Sequence, residues 1–272
     1  MNNKLGLTSG FFKNPTKESW ESAVAAGITD IELGLSHDFD TEAILVQAEK
    51  KYDLLSSSGL VISSIHLPFG NPWDISMLDN LGREAAIEKY KVLVDWAAEK
   101  GIGIAVLHAS YEPIDDEERQ QRLETATESV KILSDYAREK GVSLAVENLP
   151  RTCLGNCSDD MLTLTGNGRN AGICFDANHL LIESHKDFLE KVGPYIITTH
   201  FSDYDGIDEK HWLVGEGCVD WAEVVELLRQ QGYQGRFLFE LNELADPNTE
   251  EAFTPKDLVS RFKEVSKLHS LY

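Results

Sequence analysis

Hydrophobic positions follow two alternating rhythms along the chain. Stretches with apolar residues three and four apart, such as Leu123, Ala126, Val130, Leu133 and Ala137, or Leu258, Phe262 and Val265, predict amphipathic helices. Between them lie short runs that are apolar at both parities, as expected of parallel strands covered by helices. A glycine marks each change from the first rhythm to the second: Gly27 (GITDIEL), Gly59 (GLVISSIHL), Gly101 (GIGIAVLH), Gly141 (GVSLAVE), Gly172 (GICFD), Gly193 (GPYIITTH) and Gly232 (GYQGRFLFE). Glycine just past a helix takes the left-handed cap conformation without a Cβ penalty, so it punctuates that junction. The junctions lie 21 to 42 residues apart, the size of one strand plus one helix. With an opening strand at 4–9 they predict eight strands. Eight βα units read most simply as a (β/α)8 TIM barrel, an α/β fold forming one domain over residues 1–272. A doubly wound sheet competes, but no G-x-G-x-x-G follows the first strand.

Composition narrows the partners. Of 272 residues, 42% are hydrophobic, enough for one sizeable core, while 25 Lys and Arg face 46 Asp and Glu for a net charge of −21. That field repels nucleic acid and anionic membrane surfaces, whose binding rests on cationic side chains. It attracts cations. No signal peptide and no apolar run of 18 residues are visible, so a cytoplasmic protein is expected. Cys153, Cys157, Cys174 and Cys218 are too few for a disulfide framework and are read as free thiols.

The ends of the expected strands carry the chemistry. His66 closes VISSIH, His108 closes GIAVLH, Glu147 closes SLAVE, Asp176 closes GICFD, His200 closes IITTH and Glu240 closes RFLFE. Six consecutive strands thus each deliver a metal-competent side chain to the C-terminal end, which is the catalytic face of a TIM barrel. Parity agrees, since Ala145 shares a strand face with Glu147, Cys174 with Asp176, Thr198 with His200 and Leu238 with Glu240. Any one of these residues has a structural explanation. Several carboxylates in one mouth do not, because burying each uncompensated costs several kcal/mol, on the order of ~5. A divalent cation removes that penalty. His179, in DANH, and the Glu209-Lys210-His211 segment add further donors, whereas Glu32, ending ITDIE, is read as organising the barrel.

The combination ENLP, FDANH, THFSD, HWLVGEG-x-x-DW and FELN resembles the xylose-isomerase-like TIM-barrel superfamily, which includes sugar isomerases and epimerases, inosose dehydratases and metal-dependent AP endonucleases. The resemblance implies one divalent ion held by Glu147, Asp176, His200 and Glu240, often Mn²⁺, with Glu147 and Glu240 exchanging a substrate proton through an enediolate. In the endonucleases further ions use histidines matching His66 and His108, and a group matching His179 and His211. That group has Asp where this chain has Glu209, so the third set departs from the pattern. The tagatose-type epimerases carry an Arg soon after the seventh-strand His, a region that here holds Gly206 and its neighbours.

The expected activity is therefore a metal-dependent sugar isomerase or epimerase acting on a ketose, a polyol ketone or a related sugar. Oxygen-rich ligation with histidine suits Mn²⁺, and also Mg²⁺, Co²⁺ or Zn²⁺. Barrels that grip phosphate use loops after strands seven and eight. Here the eighth-strand loop, NELADPNTEEAF, has no Lys or Arg, so an unphosphorylated small-molecule substrate is expected. Arg151 and Trp212 are the expected substrate contacts, and Trp73, Phe11 and Phe69 are candidate apolar walls. A phosphodiesterase or AP endonuclease, an inosose-dehydratase-type lyase and a carbohydrate-binding protein without turnover are the alternatives. A homo-oligomer is compatible with each.

Overall fold

The computed structural model describes residues 4–267. Strands β1 (Leu5–Thr8), β2 (Ile28–Gly34), β3 (Val61–His66), β4 (Ile104–Leu107), β5 (Ser143–Glu147), β6 (Gly172–Asp176), β7 (Ile196–His200) and β8 (Phe237–Phe239) all pair in parallel. They alternate with helices α1 (Lys17–Ala25), α2 (Thr41–Ser57), α3 (Asn80–Glu99), α4 (Asp116–Glu139), α5 (Ser158–Leu164), α6 (His185–Val192), α7 (Trp221–Gln230) and α8 (Pro255–Val265). The sheet runs β7-β6-β5-β4-β3-β2-β1-β8. The eight-fold βα unit read from the glycine punctuation is the one that forms.

Except at α4 and α5, the loops entering the helices end in side chains that satisfy the first free N–H groups. Thr16 and Thr254 form reciprocal caps with Ser19 and Asp257, and the carboxylates of Asp40, Asp79 and Asp220 accept from the first turns of α2, α3 and α7. At the helix exits, Gly27, Gly59, Gly101, Gly141 and Gly232 have positive φ as expected. Gly172 and Gly193 differ. Gly193 is right-handed, at φ −48°, and a Cβ there would strike the Gln231 side chain; at Gly172 it would meet Ile197 at 2.6 Å. Those two glycines serve close packing, and Gly193 caps α6 in the right-handed rather than the left-handed conformation.

The seam between β7 and β8 closes the barrel and bears on the site. A single parallel bridge joins Phe201 to Phe239, with Phe201 N–H donating to Leu238 (2.8 Å) and Glu240 N–H donating to Phe201 (3.1 Å). Two residues earlier the Thr199 hydroxyl takes the place of backbone, donating to the Arg236 carbonyl (3.0 Å) and accepting from Leu238 N–H (3.3 Å). His200 and Glu240 are thereby set side by side.

Two apolar layers follow from strand parity. Leu144, Val146, Ile173, Phe175, Phe237 and Phe239 face the helices in one large core with Trp20, Trp221, Phe188 and Phe262. Val106, Ala145 and Cys174 form a separate small cluster. The inner positions are small or short, and the polar ends of the same strand faces stand above them. Among the described residues no helix is long and apolar enough to cross a membrane.

Candidate active site

Glu147 is the centre of the mouth. It is 1% exposed, and its two oxygens are divided between two sets of partners. Oε2 lies 3.1 Å from His66 Nε2 and 3.2 Å from His108 Nε2, while Oε1 lies 3.2 Å from His200 Nδ1 and 3.5 Å from His179 Nδ1. His200 Nδ1 is also 3.0 Å from Glu240 Oε2 and 3.9 Å from Asp176 Oδ2. Ligand atoms of Glu147, Asp176, His200 and Glu240 all fall within 4.8 Å of one another, as do those of His66, His108 and Glu147, and those of His179, Glu209 and His211. The structure thus brings all eight strand-end and loop donors expected from the sequence to one place. Glu209 joins them despite departing from the Asp pattern, with Oε2 3.3 Å from His179 Nε2.

Backbone carbonyls set the direction of three imidazoles. His66, His179 and His211 donate Nδ1–H to the carbonyls of Leu67 (2.9 Å), Asn148 (2.9 Å) and Glu240 (3.1 Å). A carbonyl can only accept, so Nδ1 carries the proton and Nε2 is left to face the cavity, the arrangement that orients ligating histidines. Asn148 also clamps Asp176, accepting from its N–H (2.8 Å) and donating to its carbonyl (2.9 Å). Asn178 Oδ1 accepts from Lys210 N–H (2.9 Å) and His211 N–H (3.4 Å), tying the β7 loop to the end of β6. Asp203 accepts from Gly215, Val219 and the Trp221 indole at 2.8, 3.1 and 2.8 Å, which folds the GEG-x-x-DW segment. These three residues stand inside motifs legible in the sequence, but their supporting roles were not read from it.

The electrostatics are those of a crowded anionic site held by histidines. Burial raises the cost of charge on Glu147, yet the His200 and His108 rings hold its carboxyl well below the usual carboxylate range. Burial likewise opposes ionisation of Glu240, and His200 holds it low. Asp176 goes the other way: burial pushes it up to about 7 against the pull of His179, with Glu240 and Glu147 adding to the rise. Burial works against a charged His66 and a charged His179, but the Glu147 hydrogen bond lifts the first to about 9 and the field of Asp176 lifts the second to about 10. The His179 hydrogen bond pulls Glu209 down to about 2.

The donor set fits a divalent cation. Asp176 Oδ1 accepts from Asn178 N–H at 2.6 Å, but Oδ2 is fully buried and has no hydrogen-bond partner. Four other buried side-chain atoms among the described residues lack partners, Asn178 Nδ2 included, but Asp176 Oδ2 is the carboxylate oxygen of the set and stands among three further O and N donors, which suits a cation.

The donors line a cavity of about 290 Å³, which also touches Phe69, Tyr111, Glu112 and Arg151. Phe69 stacks on His108 with ring centres 4.2 Å apart and walls the cavity as expected. Trp73 and Phe11 do not; both are buried in the core. Trp212 is not a lining residue either, and its backbone pairs with Asp203. Arg151 is the one Lys or Arg among the described lining residues, and its guanidinium is engaged by Glu112 (2.7 Å), Asp208 (2.7 Å) and Glu209 (3.2 Å). It joins three loops rather than presenting a free cation.

The family's sequence pattern matches residues 20–256. The chain belongs to the xylose isomerase-like TIM barrel family. An uncharacterized protein of Methanocaldococcus jannaschii is 28% identical over 210 residues, 74% of this chain and 70% of that protein. Solved members of similar shape include a D-tagatose 3-epimerase-like protein, at TM-score 0.75 and 23% identity over 97% of this chain and 98% of the other. The 3-keto-D-glucoside 4-epimerase of E. coli follows at TM-score 0.74 and 18% identity over 96% and 99%. At these identities the likeness is one of fold.

Proposed function

We propose that this family member is a cytoplasmic, divalent-metal-dependent isomerase or epimerase that moves a proton on an unphosphorylated ketose or polyol ketone through an enediolate. The observation that carries the reading is the convergence of Glu147 and Glu240, from strands separated by β6 and β7, on His200 Nδ1 at 3.2 and 3.0 Å above a shared cavity. Glu147, Asp176, His200 and Glu240 would hold the ion, with Mn²⁺ the first choice and Mg²⁺, Co²⁺ or Zn²⁺ admitted by the same donors. When bound, the ion supplies Lewis-acid polarisation of a substrate carbonyl.

The chain's own groups do the rest. Glu240, with a side chain one-quarter exposed, has access to the substrate and takes the proton beside the carbonyl. Glu147, held from behind by His66 and His108, returns a proton from the other side, relayed from the His66 imidazolium whose Nε2 lies 3.1 Å from its Oε2. His179 and His211 border the same cavity as candidate contacts to substrate hydroxyls, and Phe69 excludes water along one wall. With Arg151 committed to three carboxylates, no free Lys or Arg remains among the described lining residues to hold a phosphate, which supports an unphosphorylated substrate. The test is incubation of the protein with Mn²⁺ and a panel of ketoses and inososes in D2O. Deuterium entering the carbon beside the carbonyl is expected, and no exchange across the panel overturns the reading.

One observation favours a second reading. Glu147 is shared between two donor groups, and His179, Glu209 and His211 form a third, an array suited to several ions and in-line phosphoryl displacement. The net charge of −21 opposes a DNA substrate. Incision of abasic DNA with Mn²⁺ or Zn²⁺ at low salt, abolished by Glu147→Gln, would establish it over the first.

A further inference from the structure

His200 is turned opposite to the other anchored histidines of the mouth. His66, His179 and His211 place Nδ1 on a backbone carbonyl and Nε2 toward the cavity, whereas His200 places Nε2 2.7 Å from Glu32 Oε1 and Nδ1 among Glu147, Glu240 and Asp176. Glu32 reaches across from β2 and has no solvent exposure. Its second oxygen accepts from the Ser64 hydroxyl of β3 at 2.8 Å. The three groups form a line, Ser64 to Glu32 to His200, through the barrel interior.

A floor-filling role does not account for this. An apolar side chain would fill the same space without the desolvation cost of a buried carboxylate. Glu32 instead has each oxygen committed, one to a group that fixes it and one to the ring it fixes. We propose that Glu32, held by Ser64, is a positioning residue that sets the His200 ring so that Nδ1 rather than Nε2 faces the ligand group. A carboxylate behind a ligating imidazole fixes ring orientation and raises the basicity of the presented nitrogen. The inference builds on the metal-dependent reading above, but the ring orientation is open to measurement without metal.

The variants are Glu32→Leu, which removes the acceptor at similar volume, Glu32→Gln, which keeps a neutral acceptor, and Ser64→Ala, which frees Glu32 and disturbs folding least. Each full-length protein is titrated with Mn²⁺ alone, its melting temperature is recorded, and the His200 Nε2–H resonance is followed in ¹⁵N-histidine protein, assigned by its loss in His200→Gln. Glu32→Leu is expected to weaken Mn²⁺ binding by about 10–100-fold, Glu32→Gln by less and Ser64→Ala by least, in an order that does not follow the melting temperatures. The protected Nε2–H signal should vanish in Glu32→Leu and survive in Glu32→Gln. Mn²⁺ affinity equal to wild type in both Glu32 variants, or a protected signal unchanged in Glu32→Leu, overturns the proposal. If the wild type binds no Mn²⁺, the functional reading fails, and the resonance in metal-free protein alone decides for or against the positioning role.

Discussion

Asp30 and Glu32 stand two residues apart on β2, on the same strand face, and neither is exposed to solvent. Their partners are of different kinds. Asp30, nearer the start of the strand, is bonded by Arg236 Nε and by the Thr29 hydroxyl (2.6 Å), with Lys4 Nζ 3.9 Å away. Glu32, at the mouth, is bonded by His200 and Ser64, with His66 close by. One end of the barrel therefore neutralises its buried carboxylate with an arginine and a lysine. The other gathers Glu32, Glu147, Asp176 and Glu240 around histidines and leaves Asp176 Oδ2 without a hydrogen bond, with His179 Nδ1 3.7 Å away. A permanent cation makes a finished structural pair. Carboxylates in excess of fixed cations make a donor set suited to a divalent ion, which agrees with the division of TIM barrels into a stability face and a catalytic face.

The largest expected effect lies at Glu147 and Glu240, the pair proposed to transfer the proton. Glu147→Gln and Glu240→Gln, each assayed at saturating Mn²⁺, are expected to lower turnover by at least ~100-fold, the scale for losing a positioned acid or base. Solvent deuterium entering substrate at the wild-type rate in either variant would remove that carboxylate from the mechanism. The opposite end should respond in stability instead. Asp30→Asn strands Arg236, and breaking a buried pair from one side costs about 3 kcal/mol at the lower end of the usual range, since the Arg236 side chain is 29% exposed. Denaturant midpoints measure this, and Mn²⁺ affinity should not change. A variant that lost metal without losing stability would erase the distinction between the two ends.

Metal itself sharpens the contrast. Mn²⁺ at one hundred times its dissociation constant should stabilise the wild type by about 2.7 kcal/mol, by mass action on the folded state. Asp30→Asn should gain the same increment. Asp176→Asn, which loses the orphaned oxygen, should gain almost none. Equal thermal shifts in Asp176→Asn and wild type would show that the ion, if bound, does not use this residue.

Much of this organisation is legible in the chain because barrel geometry converts one-dimensional order into position. A polar residue closing an apolar run must lie at the strand end, and consecutive strand ends must meet around one mouth, so His66, His108, Glu147, Asp176, His200 and Glu240 can be gathered before any coordinates exist. Pairings are another matter. Glu32 and His200 are 168 positions apart, and nothing local in ITDIE distinguishes a carboxylate that turns a distant ring from one that braces the barrel. Asn148 and Asn178 look like loop polarity until their amides are seen holding Asp176 and the β7 loop. Gly172 and Gly193 follow the junction pattern in sequence while answering to Ile197 and Gln231 in space. Aromatics show the same limit, since Trp73 and Phe69 belong to one loop, yet only Phe69 lines the cavity.

Arg151 gives the smallest expected effect and the finest distinction. In sequence it is the cation nearest the mouth and reads as a substrate contact. In space it adopts a left-handed backbone, at φ 52°, and its fork is spent on Glu112, Asp208 and Glu209. Those carboxylates hold its pKa above its ordinary value, against the opposing effect of burial, so the charge is permanent but internally balanced. It is thus the mouth's counterpart to Arg236, placed at the rim, with a side chain 35% exposed. Pairs so open to solvent contribute little, typically about 0–1 kcal/mol each. Arg151→Ala should therefore lower kcat/KM on a neutral ketose by less than about tenfold, the equivalent of ~1.4 kcal/mol. The change should come mainly through KM, because the β7 loop carrying Glu209 loses a tether. Activity of both proteins should vary only weakly with ionic strength, as no substrate charge is being steered. A loss approaching that of Glu147→Gln, together with strong weakening of wild-type activity by salt, would instead mean that an anionic substrate displaces the three carboxylates from Arg151, and that this cation belongs to the reacting side of the comparison.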